Sequence, residues 1–161
     1  MMTTFDSQNK LNESDRIAHI YHRLAKFCDC LGEKMLGLIF IPFGYRKYCK
    51  RAIAALKLKP GDTVIDLGCG TSLNFSSLED AIGPDGKIIG VDLTNAMLEQ
   101  ARKHLEVNHW TNIELIQSNA AYYSFPHSLD GILSIWAITL VPEYKQVIIN
   151  GSQAFKPGKK G

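Results

Sequence analysis

Hydrophobic positions follow two different rhythms along the chain. From Asp15 to Asp29, Ile17, Ile20, Tyr21, Leu24, Phe27 and Cys28 recur at helical spacing, which lays them along one face of an α-helix with Ser14 as its N-cap. An apolar stretch, Met35–Phe43, follows and is broken by Gly37 and Pro42. A second helical pattern then turns Tyr45, Tyr48, Cys49, Ala52, Ile53 and Leu56 inward and Arg46, Lys47, Lys50 and Arg51 outward. Beyond the turn signal Pro60-Gly61-Asp62 the runs shorten. Thr63–Leu67 reads as a buried strand, and Lys87–Val91, Ile113–Gln117 and Gly131–Ile138 as the strands that follow it. Between and after them lie helical segments at Asn74–Ile82, from a Thr94 cap to about Val107, and at Glu143–Phe155.

Strands that alternate with helices predict an α/β fold, a parallel sheet covered on both faces through right-handed crossovers. The change of rhythm divides the chain into a helical N-terminal extension or cap, 1–59, and an α/β domain, 60–161. No internal repeat or low-complexity segment interrupts either part.

Composition narrows the function classes. A chain of 161 residues that is 45% hydrophobic and 21% charged has the makeup of a globular domain, which excludes wholesale disorder. Eighteen basic against sixteen acidic residues leave a net charge of +2, too small to argue for a nucleic-acid partner. Cys28, Cys30, Cys49 and Cys69 form no Cys-x-x-Cys pair and no disulfide framework, so reduced thiols and no metal site are expected. The N-terminus does not read as a secretory signal, and no apolar run reaches the roughly 20 residues of a membrane span. A cytoplasmic location follows as the expectation. Arg46, Lys47, Lys50, Arg51, Lys57 and Lys59 lie without an intervening acid just after the apolar Met35–Phe43 stretch. That pairing reads either as a solvated helix face behind a packed loop or as peripheral contact with an anionic membrane.

The chemistry concentrates in Val64-Ile65-Asp66-Leu67-Gly68-Cys69-Gly70-Thr71-Ser72. A strand delivers the chain to a tight turn, a helix leaves it, and Gly68 and Gly70 let backbone approach a ligand without a Cβ in the way. The dinucleotide fingerprint requires glycine at position 73, where this chain has Leu73. Asp66, two residues before the first glycine, suits a cationic group such as an amino acid ammonium better than a pyrophosphate. Asp92, at the tip of the next strand, can accept hydrogen bonds from ribose hydroxyls. Together these features suit a nucleoside that carries a positively charged amino acid.

In these motifs the chain resembles the class I S-adenosylmethionine-dependent methyltransferases. Asp66–Thr71 is similar to the family's first motif, Val91-Asp92-Leu93 to its second, and Ser118-Asn119-Ala120 to the stretch after the third strand. Asp130–Ser134 resembles the fourth-strand motif, and Phe155-Lys156-Pro157-Gly158 the turn before the fifth strand. The segment from Tyr21 to Asp29 is similar to the opening helix of the ubiquinone/menaquinone and phospholipid methyltransferase branches. The resemblance implies a Rossmann-like fold with S-adenosyl-L-methionine as cofactor and a small-molecule or lipid methyl acceptor. It further implies that Asp66 and the Gly68–Gly70 backbone, Cys69 included, hold the methionine part, and that Asp92 takes the ribose hydroxyls. Leu93 would pack near the adenine, Asn119 would meet its amino group and Ala120 would offer a backbone N–H. Tyr21, Met97 and Ser134 complete the implied cofactor-binding set. Ser72 departs from the family's third glycine, and Asn119 stands where aspartate is usual.

The family's sheet has seven strands ordered 3-2-1-4-5-7-6, and this chain supplies candidates for the first four. The resemblance therefore implies a fold cut before the fifth strand, with 132–138 as an exposed apolar edge prone to self-association. A non-catalytic remnant or cofactor-binding module, and transfer of the cofactor's aminocarboxypropyl group, stand as alternatives to methyl transfer. His19, His22 and His127 are candidate bases, and none of the three is singled out as catalytic.

Overall fold

A computed structural model of the chain describes residues 15–16, 18–20, 22 and 45–157. Strand β1 (Thr63–Leu67) lies at the centre of a four-stranded parallel sheet. It pairs on one side with β2 (Lys87–Asp92), which in turn pairs with β3 (Ile113–Gln117), and on the other with β4 (Gly131–Leu133). The spatial order β3-β2-β1-β4 places Asp66 of β1 between Gly90 and Leu133 in register.

Alternation along the strands sorts the core into two layers, because successive side chains of a strand point to opposite faces. Val64 and Ile88 face one layer with Ile53, Phe75, Leu78, Ile82 and Leu98. Ile65 and Ile89 face the other with Leu67, Val91, Leu129, Val147 and Ala154. The first layer is closed by α1 (Tyr45–Ala55), α2 (Phe75–Ile82) and α3 (Asn95–Asn108), and the second by α4 (Tyr144–Ser152). In α2, Phe75, Leu78 and Ile82 recur at helical spacing and are fully buried. In α1, Cys49 and Ile53 are buried while Lys47, Lys50 and Arg51 are exposed, as the pattern predicts, but Tyr48, expected on the inner face, is 65% exposed. The expected first helix and its Ser14 cap fall largely outside the described residues, as does Met35–Phe43; residues 15–16, 18–20 and 22 are helical.

Three elements differ from the sequence reading. Strand β4 ends at Leu133 rather than Ile138. The chain leaves the sheet at Ser134, whose hydroxyl donates to the Leu67 carbonyl at 2.9 Å. Trp136 then takes φ +61°, and a short 3₁₀ turn forms at Ile138–Leu140. A strand over 132–138 is therefore not formed, and the long apolar edge expected there shrinks to three residues. Helix α4 ends before Phe155 because the chain turns back to the sheet. Leu129 N–H donates to Ala154 O at 2.9 Å, and Lys156 N–H donates to Leu129 O at 3.0 Å, a parallel bridge on the outer side of the β4 entry. Asp130 secures this return by accepting from Thr63 N–H and from the Lys156 ammonium. Finally, Thr94 occupies the N-cap position of α3, yet its side chain makes no capping bond.

Candidate cofactor site

At the carboxyl end of β1 the chain enters a loop that runs to Asn74 before α2 begins. Gly68 has φ +77° and Gly70 φ +55°, conformations that disfavour other residues. Gly68 meets a second constraint, since a Cβ there would lie 2.1 Å from the Cβ of Ala137. The loop is tied to the tip of β2. Gly68 and Cys69 N–H groups both donate to Val91 O, at 2.7 and 3.1 Å. The Asp92 carboxylate bridges two backbones, with Oδ2 accepting from Gly70 N–H at 2.9 Å and Oδ1 from Thr94 N–H at 2.8 Å.

An open cleft of about 210 Å³ lies above this junction. It sits at the carboxyl ends of the strands, where open parallel sheets bind ligands. Gly68, Gly70, Asp92, Leu93, Met97, Asn119, Ala120 and Ser134 line it, so eight of the residues singled out in the sequence converge on one cavity. The Asn119 Oδ1 accepts from Ala121 N–H at 2.9 Å, so this side chain also shapes its own loop. Burial raises the pKa of Asp92, against the lowering effect of the N–H groups of Thr94, Gly70 and Leu93.

Two expected residues, Cys69 and Asp66, do not line the cleft, and a third, Tyr21, lies outside the described residues. Cys69 is buried in the first core layer, where burial and the charges of Asp66 and Asp92 push its thiol pKa up, so only its backbone belongs to the loop. Asp66 is fully buried behind the loop and does not line the cleft. Its Oδ2 accepts from Asn74 Nδ2 at 3.1 Å, while Asp66 Oδ1 and Asn74 Oδ1 are buried without a hydrogen-bond partner. Desolvation lifts its pKa to about 7, with Asn74 opposing and Asp92 adding to the rise. Asp66 therefore stands behind the loop rather than on the cleft wall.

The structure adds wall residues that the sequence reading passed over. Thr94, Trp136, Ala137, Ile138, Val141 and Pro142 all line the cleft. Trp136, Ala137 and Ile138 belong to the segment read as the end of a strand, and the signal that could have found them is Ser134, a polar residue interrupting an apolar run. Trp136 is 67% exposed, which leaves its ring at the cleft's rim. The three histidine candidates, His19, His22 and His127, are exposed and none lines the cleft. Among the described residues no group of three His, Cys, Asp or Glu side chains could hold a metal, and no helix is long and apolar enough to cross a membrane.

Comparison with known proteins gives a consistent set of likenesses. The family described as "Methyltransferase domain" matches residues 64–158. A demethylmenaquinone methyltransferase from Symbiobacterium thermophilum is 31% identical over 145 residues, 88% of this chain and 55% of the relative. One from Listeria monocytogenes is 31% identical over 113 residues, 70% of this chain and 48% of the relative. The chain thus spans about half the length of these relatives. Among solved structures, a SAM-dependent methyltransferase from Aquifex aeolicus shares the fold with a TM-score of 0.65 at 20% identity, covering 82% of this chain and 66% of that one.

Proposed function

The chain belongs to the methyltransferase domain family, and from that premise we propose that it binds S-adenosylmethionine in the cleft and serves methyl transfer to a small-molecule or lipid acceptor. Asp92 carries this reading. Its carboxylate stands on the cleft wall, fixed by the N–H groups of Gly70 and Thr94, and each oxygen keeps a lone pair for one of two vicinal hydroxyls. The surroundings fit the rest of the cofactor. Leu93, Met97 and Val141 offer apolar walls to a purine, and Gly68 and Gly70 bring backbone close without side chains between. Asp66 behind the loop and Asp92 in front of it favour a cationic sulfonium and ammonium over a diphosphate.

When bound, the cofactor supplies a methyl group on a sulfonium, an electrophile that is already activated. The chain's own residues then have positioning to do: Asp92 and the glycine backbone hold one partner, and the rim around Trp136 faces the place where an acceptor would enter. The names of the relatives support an apolar, quinone-like acceptor. The exposed Lys47, Lys50 and Arg51 on α1 support peripheral contact with an anionic membrane surface on the cytoplasmic side.

The test is calorimetric titration of the chain with S-adenosylmethionine and S-adenosylhomocysteine, with Asp92→Ala as the control. Saturable binding that weakens at least about tenfold in the variant is expected, from the loss of charge-assisted hydrogen bonds. A folded parent that binds neither compound refutes the proposal. Equal affinity in the folded variant refutes the role given to Asp92.

A further inference from the structure

Ser72 holds a backbone conformation that serine seldom takes. Its φ is +77°, in the left-handed region, alongside Gly68 at +77° and Gly70 at +55°. The two glycines carry no Cβ and adopt such angles freely, whereas in Ser72 the Cβ crowds the backbone. Within the loop Ser72 N–H donates to Cys69 O and Ser72 O accepts from Phe75 N–H, both at 3.0 Å, and contacts from outside the turn add to these.

His104, on α3 and 32 positions downstream, supplies such contacts. Its Nδ1 lies 2.8 Å from the Thr71 carbonyl oxygen and 3.0 Å from Ser72 Oγ. A carbonyl oxygen only accepts, so Nδ1 carries the hydrogen and donates; Ser72 Oγ shares that hydrogen as a second acceptor. Ser72 is 5% exposed, so water competes weakly for these bonds. The loop is thereby held from two sides. Asp92 fixes Gly70 from the β2 tip, and His104 fixes Thr71 and Ser72 from α3.

We propose that His104 is a positioning residue for the cofactor loop: by clamping the strained Thr71–Ser72 turn from α3, it holds in place the far side of the loop whose near side, Gly68–Gly70, is tied to the β2 tip. The consequence for affinity rests on the S-adenosylmethionine reading above, but the clamp itself can be tested without any ligand.

The full chain is compared as parent, His104→Ala, Ser72→Gly and the double variant. Amide hydrogen exchange over 68–74 is measured without ligand, S-adenosylhomocysteine affinity by calorimetry, and thermal unfolding alongside. His104→Ala is expected to speed exchange of the loop amides about tenfold and to weaken S-adenosylhomocysteine binding about five- to tenfold. Ser72→Gly alone changes affinity by about twofold or less, since glycine takes the same φ without crowding. In the double variant, glycine restores most of both losses, because the strain that His104 opposes is gone. A histidine that merely packs would lower the melting temperature equally in both backgrounds and show no such rescue. Loop exchange at the parental rate in His104→Ala, or a folded double variant without rescue, overturns the proposal. If His104→Ala does not fold, His104→Gln takes its place, with intermediate exchange and the same rescue expected; parental exchange or absent rescue there overturns it equally. If the parent binds no S-adenosylhomocysteine, the functional reading fails, and the exchange measurements still decide the clamp.

Discussion

Asp66 makes the stability of this chain depend on pH in a direction opposite to that of most carboxylates. Its side chain is fully buried, its pKa is raised from 3.8 to about 7, and one of its oxygens has no hydrogen-bond partner. In the unfolded chain the carboxyl ionises near its ordinary value. Between about pH 4 and pH 7 the folded state therefore binds more protons than the unfolded state. The contribution to stability is fully present below pH 4 and falls as pH rises through 7, above which the loss levels off. A difference of about 3 pH units corresponds to roughly 4 kcal/mol at most, a large share of a typical domain's 5–15 kcal/mol. Asp66→Asn removes the charge at nearly constant shape. The replacement amide can still accept from Asn74 Nδ2, and its NH₂ group takes the place of Oδ1, one of the two buried oxygens of this pair that lack donors. Urea unfolding of parent and variant at pH 5, 6, 7 and 8 measures the effect. The variant should gain on the parent by about 1 kcal/mol per pH unit up to pH 7, and the gap should then stay constant. A gap that does not change with pH, or one that narrows toward pH 8, would refute the argument.

Two further outcomes follow from the same geometry. A cationic ligand group at the glycine loop stabilises the Asp66 carboxylate and lowers its pKa, so S-adenosylhomocysteine binding near pH 7 should release protons. Calorimetry in buffers of different ionisation enthalpy reads this as a buffer-dependent heat that Asp66→Asn abolishes; proton uptake would contradict the sign. Gly68→Ala places a Cβ 2.1 Å from that of Ala137 at φ +77°, and should lower stability by about 2–3 kcal/mol in thermal or urea unfolding. Adding Ala137→Gly should return part of that loss by removing the clash while leaving the backbone strain. An unchanged melting temperature in Gly68→Ala would show that the loop moves freely away from Ala137.

The elements that position the cleft were legible because their causes are local. Adjacent positions such as Val64 and Ile65, or Ile88 and Ile89, feed opposite core layers, so β1 and β2 are written as short apolar runs. Gly68 and Gly70 announce a turn of positive φ, and Asp92 follows directly from the end of its strand. What the sequence left open depends on residues far apart. The end of β4 is set by the Ser134 hydroxyl reaching Leu67 on β1 and by the turn at Trp136; Ser134 marks the place in the apolar run, but its partner, 67 positions away, is fixed only by the sheet.

By itself, then, the order of residues determined an α/β sheet, the place of the glycine loop and the acid at the β2 tip, because periodicity and backbone sterics act within a few residues. Only the tertiary structure decided which carboxylate meets the cleft. Asp92 lies on its wall, while Asp66 is turned inward against Asn74 and pays the cost of desolvation. It also decided that His104, on a different helix, faces Thr71 and Ser72. Burial and side-chain contact are properties of packing between elements, and the spacing of residues along one element does not contain them.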